Sequence, residues 1–106
     1  MAEKAKFDNK LVMVGRLLTE KRKALGKKYS SRDKFIEERS LELFDGIPWI
    51  SCRHLANVES GKNWLSVEML IQHAYALEVN PVELFAEILK VYNEASSGIE
   101  SPRSSA

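Results

Sequence analysis

At 106 residues, with 44% apolar and 29% charged side chains, the chain has the make-up of a globular protein and room for one small domain with tails; no run approaches the ~18 apolar residues of a membrane span. A single cysteine, Cys52, excludes an internal disulfide, and with no apolar secretion core in residues 1–10 it predicts a cytoplasmic location. The net charge of +1 hides an asymmetry: residues 1–34 carry 11 Lys/Arg against 4 Asp/Glu and residues 35–106 carry 5 against 11, which suits either a basic face turned to phosphate or a solvated basic helix behind a lysine-rich tail.

Residues 1–8 read as a flexible N-terminus. Asp8 or Asn9 can cap a first helix over about 9–25, with Phe7 as a hydrophobic staple. Leu11, Val14, Leu18 and Leu25 keep helical spacing there, and Gly26 stands where a left-handed cap belongs. Ser31 is the N-cap of a second helix, about 31–44, with Phe35, Ile36, Arg39, Leu43 and Phe44 near one face. Asp45-Gly46-Ile47-Pro48 is a turn, and Trp49 and Ile50 after it are expected core anchors. Ser51 caps a third helix over 52–60, whose Leu55 and Val58 turn inward and which Gly61 ends. Ser66 caps a fourth over 67–78, where Val67, Leu70, Ile71, Ala74 and Leu77 form an apolar stripe expected to face the core. Asn80 caps a fifth, with Pro81 at its first position and Val82, Phe85, Ile88, Leu89 and Tyr92 as its apolar face. Residues 95–106, small and polar, read as a disordered tail, which leaves 9–94 as the domain. Five helices on short connections make an all-α bundle.

Leu55-Ala56-Asn57-Val58-Glu59-Ser60-Gly61-Lys62, then Ser66-Val67-Glu68-Met69-Leu70, then Tyr75 to Phe85, resemble the phage-repressor-like helix-turn-helix family of the Cro, or xenobiotic-response-element, type. The likeness covers residues 51–85 and extends to 10–30. It implies a five-helix lambda-repressor-like DNA-binding bundle, with helices 2 and 3 as the helix-turn-helix pair and the others as support. Between Ser31 and Ser51 the chain departs from the pattern. Helix 2 and its turn are lengthened, Asp45 stands where the family has a small residue, and Trp49 where it has the turn glycine.

In such a pair the second helix enters the major groove and its first residues reach base edges. Arg53, His54 and Asn57 are the candidate base readers, since Arg suits guanine and Asn suits adenine. The same residues are also the polar face that any surface helix shows. Ser31, Arg32, Ser51, Lys62 and Asn63 are candidates for phosphate contact, with Arg16 and the Lys21–Lys23 run as further candidates on helix 1. The resemblance assigns Glu59 a structural role, tying helix 3 to the fold by a hydrogen bond or ion pair. Cys52, at a helix N-terminus beside Arg53 and His54, reads either as incidental or as a thiol of lowered pKa able to sense oxidants. Trp49 and Trp64 are packing residues or interface stackers.

The family reading implies a cytoplasmic transcriptional repressor that binds double-stranded DNA with a two-fold operator as a homodimer. Phe85, Leu89 and Tyr92 are the candidate dimer surface, although core burial explains the same residues. The alternative is a protein-interaction module, or an antitoxin of the same fold, whose main partner is a protein. No enzyme constellation, cofactor loop or metal-ligand spacing is expected: His54 and His73 fall on different helices, with one cysteine in the chain.

Overall fold

Serine and asparagine side chains set the helix starts in the computed structural model, which describes residues 9–100 and their side chains as far as Ala95. Five α helices and no strand occur among these residues: α1 Asn9–Ala24, α2 Arg32–Leu43, α3 Cys52–Ser60, α4 Val67–Leu77 and α5 Pro81–Glu100. Ser31, Ser51 and Ser66 each accept a hydrogen bond from the amide three residues on, and Asn80 Oδ1 accepts from the Val82 and Glu83 amides. Each bond satisfies amides that a helix start otherwise leaves open. The expected segment 1–8, with the Phe7 staple and the Asp8 cap, lies outside the described residues, as does 101–106.

The helix ends hold three differences from expectation. Gly26 has a positive φ of 132° with ψ 170°, a conformation that favours glycine but is not the expected left-handed helix cap, and it feeds a 3-10 turn over Lys27–Tyr29. Glu78, which is not a glycine, ends α4 in the left-handed region at φ 61°; its amide and that of Val79 bond back to Tyr75 and Ala74. α5 continues to Glu100, past the expected boundary at 94.

α1 packs on α5 and on α3. Its approach to α3 depends on Gly15: a Cβ there would collide with the Glu59 carbonyl. Gly61, in the left-handed region at φ 88°, likewise leaves room only for the Val12 backbone. Val14, Leu18, Phe35, Leu55, Val58, Ala74, Leu77, Leu84 and Ile88 form the centre of the core. The eight residues 44–51 between α2 and α3 are tied down. Asp45 and Gly46 turn the chain with positive φ, the Gly46 amide donates to the Ser40 carbonyl at 2.8 Å, and Trp49 and Ile50 are buried as expected. The Trp49 ring stacks on Phe44 and meets Phe35 and His73 edge-on, at centroid distances of 5.5, 5.8 and 5.3 Å.

The expected core stripe of α4 is rotated. His73, Ala74, Ala76 and Leu77 are buried, while Val67 and Ile71 stay exposed. On α5, Leu84 and Ile88 face the core and Val82, Phe85 and Leu89 face out. Both helices carry more apolar residues than one buried face uses, so the stripe read from spacing spans two surfaces. No helix among the described residues is long and apolar enough to cross a membrane.

Candidate nucleic-acid interface

α3 is amphipathic in the strict sense. Leu55, Val58 and Glu59 turn inward, and at 100° per residue Arg53, Ala56, Asn57 and Ser60 share the opposite arc. Arg53 and Ser60 are exposed, and Ala56 and Asn57 half-buried. Arg53 and Asn57 therefore stand together as expected. His54 lies at the edge of the arc, half-buried. Ala56 and Ser60 were not anticipated, although the same helical spacing places them there.

The inward acid fixes this helix. Glu59 is 5% exposed. Arg22 donates to it through Nε and Nη2 at 2.8 and 2.9 Å, and Arg32 through Nε at 2.8 Å. Arg22 Nη1 also donates to the Tyr29 and Ser30 carbonyls at 3.0 and 2.6 Å. One carboxylate thus joins the C-terminal turn of α1, the chain before α2, the first turn of α2 and α3. Burial alone would raise the Glu59 pKa, but the paired guanidiniums of Arg22 and Arg32 outweigh it and hold the carboxyl below its usual range. Arg22 therefore leaves the set of phosphate candidates: it is buried in this pair. Lys21 is engaged with Glu87 at 2.7 Å, whereas Arg16 and Lys23 are exposed. The signal for Arg22 was in the sequence, because Val14, Leu18 and Arg22 recur at i, i+4 and i+8 on one face.

The phosphate candidates flank the arc. The Ser31 and Ser51 hydroxyls accept amide bonds as caps, and each O–H remains a donor. Arg32 gives its Nε to Glu59 with its side chain 40% exposed. Lys62 and Asn63 are exposed, and both their amides donate to the Asn57 carbonyl, at 2.8 and 3.2 Å, so the residues after α3 are fixed to the helix that carries the arc.

Cys52 is exposed at the start of α3. A hydrogen bond to the Asp33 carboxylate, with burial and charge repulsion added, pushes its thiol pKa up. This favours the incidental reading of Cys52 over the oxidant-sensing one, because Asp33 outweighs the Arg32 charge. Among the described residues no group of three His, Cys, Asp or Glu side chains is placed to hold a metal ion.

A second surface lies on α4 and α5. Leu11, Trp64, Leu70, Phe85, Leu89 and Tyr92 are among the walls of an apolar groove of about 430 Å³. Phe85 and Leu89 stand exposed at its edge. Tyr92 is half-buried, 5.9 Å from the Trp64 ring, with the Lys10 ammonium 5.5 Å above it. Trp64 itself is exposed, unlike Trp49. The chain matches no protein-family model, no curated protein and no solved structure.

Proposed function

We propose that this chain is a sequence-specific DNA-binding transcriptional regulator, a repressor that acts as a homodimer on a two-fold operator in the cytoplasm. In this reading α2 and α3 are the helix-turn-helix pair of a lambda-repressor-like bundle, with residues 44–51 in place of a tight turn. The observation that carries it is the division of α3. Its inner face is bolted to α1 and α2 through Glu59, and its outer arc presents Arg53 and Asn57 beside two serine-capped helix starts and Lys62. A rigid helix with bidentate-capable side chains outward, and donors for phosphate on both flanks, is what major-groove reading needs. Arg53 and Asn57 read bases, with His54 at the margin. Ser31, Arg32, Ser51, Lys62 and Asn63 position the backbone.

Selection from a random duplex library at about 150 mM salt, where phosphate-only binding is suppressed, tests this reading. A two-fold motif should be enriched, and Arg53→Ala and Asn57→Ala should each cost about 1–3 kcal/mol and relax preference at one position. No enrichment by folded protein, or a preference untouched by both variants, would refute it. The second reading, an interaction module or antitoxin whose partner is a protein, is favoured by the exposed Ile47 on the lengthened connection and by the acidic Asp33 beside the start of α3.

A further inference from the structure

α4 turns to solvent an apolar ridge that the core does not use. Val67, Ile71 and Tyr75 fall at i, i+4 and i+8 along one side of the helix and are between 53% and 75% exposed. Ile71 and Tyr75, with Gln72, Val79 and Pro81, line a hollow of about 240 Å³ where α4 passes into α5. This hollow shares no lining residue with the groove at Phe85 and Leu89, and it is a seat for a large apolar side chain of a partner. Tyr75 also meets Phe44 edge-on at 5.5 Å, which braces the ridge against the α2–α3 connection.

The charge around the ridge selects the occupant. Between Lys62 and Lys90 the chain has no Lys or Arg but has Glu68, Glu78, Glu83 and Glu87, all exposed. Arg39, itself buried, reaches Glu78 at 2.8 Å, and Lys21 reaches Glu87 at 2.7 Å. Glu68 and Glu83 make no ion pair among the described residues. Such a face repels the phosphates of DNA and of an anionic membrane. A second copy across a two-fold axis would bring two sets of glutamates together with no cation between them. The chain's own basic residues 1–34 could reach the face only head to tail, a contact that builds open chains unless it closes a ring. We propose that this face docks a basic amphipathic helix of another protein. The apolar side of that helix lies along Val67, Ile71 and Tyr75 and fills the hollow, while its Lys or Arg side chains meet Glu68 and Glu83. This gives the protein-interaction reading a new surface and a partner chemistry. It is independent of the DNA reading, since none of the residues assigned to bases or phosphates lies on α4.

The test is titration of two synthetic helical peptides of about 20 residues into the full, isotope-labelled chain, followed by its amide resonances. Both peptides carry leucines at i, i+4 and i+8; one has lysines beside them and the other glutamates in the same places. The lysine peptide should bind saturably, less tightly as salt is raised, and shift the resonances of α4 and of Val79 to Glu83. The glutamate peptide should not bind. Glu68→Lys with Glu83→Lys, at exposed positions and with unchanged far-ultraviolet dichroism, should weaken the lysine peptide about tenfold or more and admit the glutamate peptide. Ile71→Ser should weaken the lysine peptide, and Leu89→Ala, in the separate groove, should bind it as the parent chain does. Binding of neither peptide, equal binding of both, or shifts confined to the Phe85 and Leu89 groove would overturn the proposal. Self-association of the parent chain that the two lysine substitutions abolish would overturn it too, since the face would then belong to a second copy. Failure here leaves the protein-interaction reading on Ile47 and Asp33, which neither peptide variant touches. A bound lysine peptide with no enriched DNA motif supports this inference and removes the DNA reading, and a motif with no peptide binding does the reverse.

Discussion

Glu59 keeps its charge in the interior because two guanidiniums reach it from different helices, one of them, Arg22, as buried as the acid itself. A buried pair of this kind adds little over a well-packed apolar pair, but breaking it leaves a charge without compensation. Arg22→Met should therefore destabilise the fold by about 3–5 kcal/mol, read from urea unfolding. The double variant Arg22→Met with Glu59→Leu should lose far less than the sum of its single changes. Simple additivity of the two losses would show that the pair is not coupled. The pH dependence has a definite sign. The Glu59 carboxyl is held below its usual range, so its contribution is complete above the ordinary carboxylate pKa and is lost as the pH falls through the lowered value. Half of this arrangement was legible. The family likeness marks Glu59 as a tie; the spacing of Arg22 from Val14 and Leu18 puts it on the buried face of α1, but inside the basic run Lys21–Lys23 that signal is masked by charge, and nothing local names Glu59 as its partner.

At the scale of elements, helix starts were the most legible feature, because a serine or asparagine cap is a local event whose partner lies two or three residues away. Helix faces were less so. Spacing shows that Val67 and Ile71 share a stripe with Leu70 and Ala74, but it cannot divide that stripe between the core and an outer surface, since both are apolar. The left-handed end of α4 was also hidden, because Glu78 carries none of the glycine signal that marks Gly61. α3 was read correctly in extent and in its buried residues. Its proposed role yields a prediction that belongs to the element: the Lys62 amide is held to α3 through the Asn57 carbonyl, and in the DNA reading proposed above its exposed side chain is one of the phosphate contacts. Lys62→Ala should weaken binding by a similar factor on every duplex and make the plot of log K against log salt shallower by about 0.9, one phosphate contact. An unchanged salt slope would remove Lys62 from the interface.

For the molecule as a whole, the α2–α3 connection is held to α4 by one aromatic cluster, and the histidine in that cluster should make the fold sensitive to acid. His73 is 1% exposed, with its ring 5.3 Å from Trp49 and its Nδ1 without a hydrogen-bond partner. Burial depresses its pKa from 6.5 to about 4; the Glu59 charge opposes this shift and His54 adds to it. The unfolded chain therefore binds a proton more readily than the folded one between these values. Stability is complete above about pH 6.5, declines as the pH falls toward 4, and loses about 3 kcal/mol from this ring, about 2 of it by pH 5. That is a large share of the ~5–15 kcal/mol that holds a small domain together. Urea midpoints at pH 7.5 and pH 5 should differ markedly for the parent chain and little for His73→Leu, which fills the same space without a titrating group. The sequence could not announce this sensitivity, since His73 follows Ile71 and Gln72 on a helix whose buried side is visible only once Trp49 is packed against it. Equal midpoints for the parent chain would mean that the ring takes up its proton without leaving the core. In that case a counter-charge must reach it, and Glu59, already shared by two arginines, would be the first group to substitute.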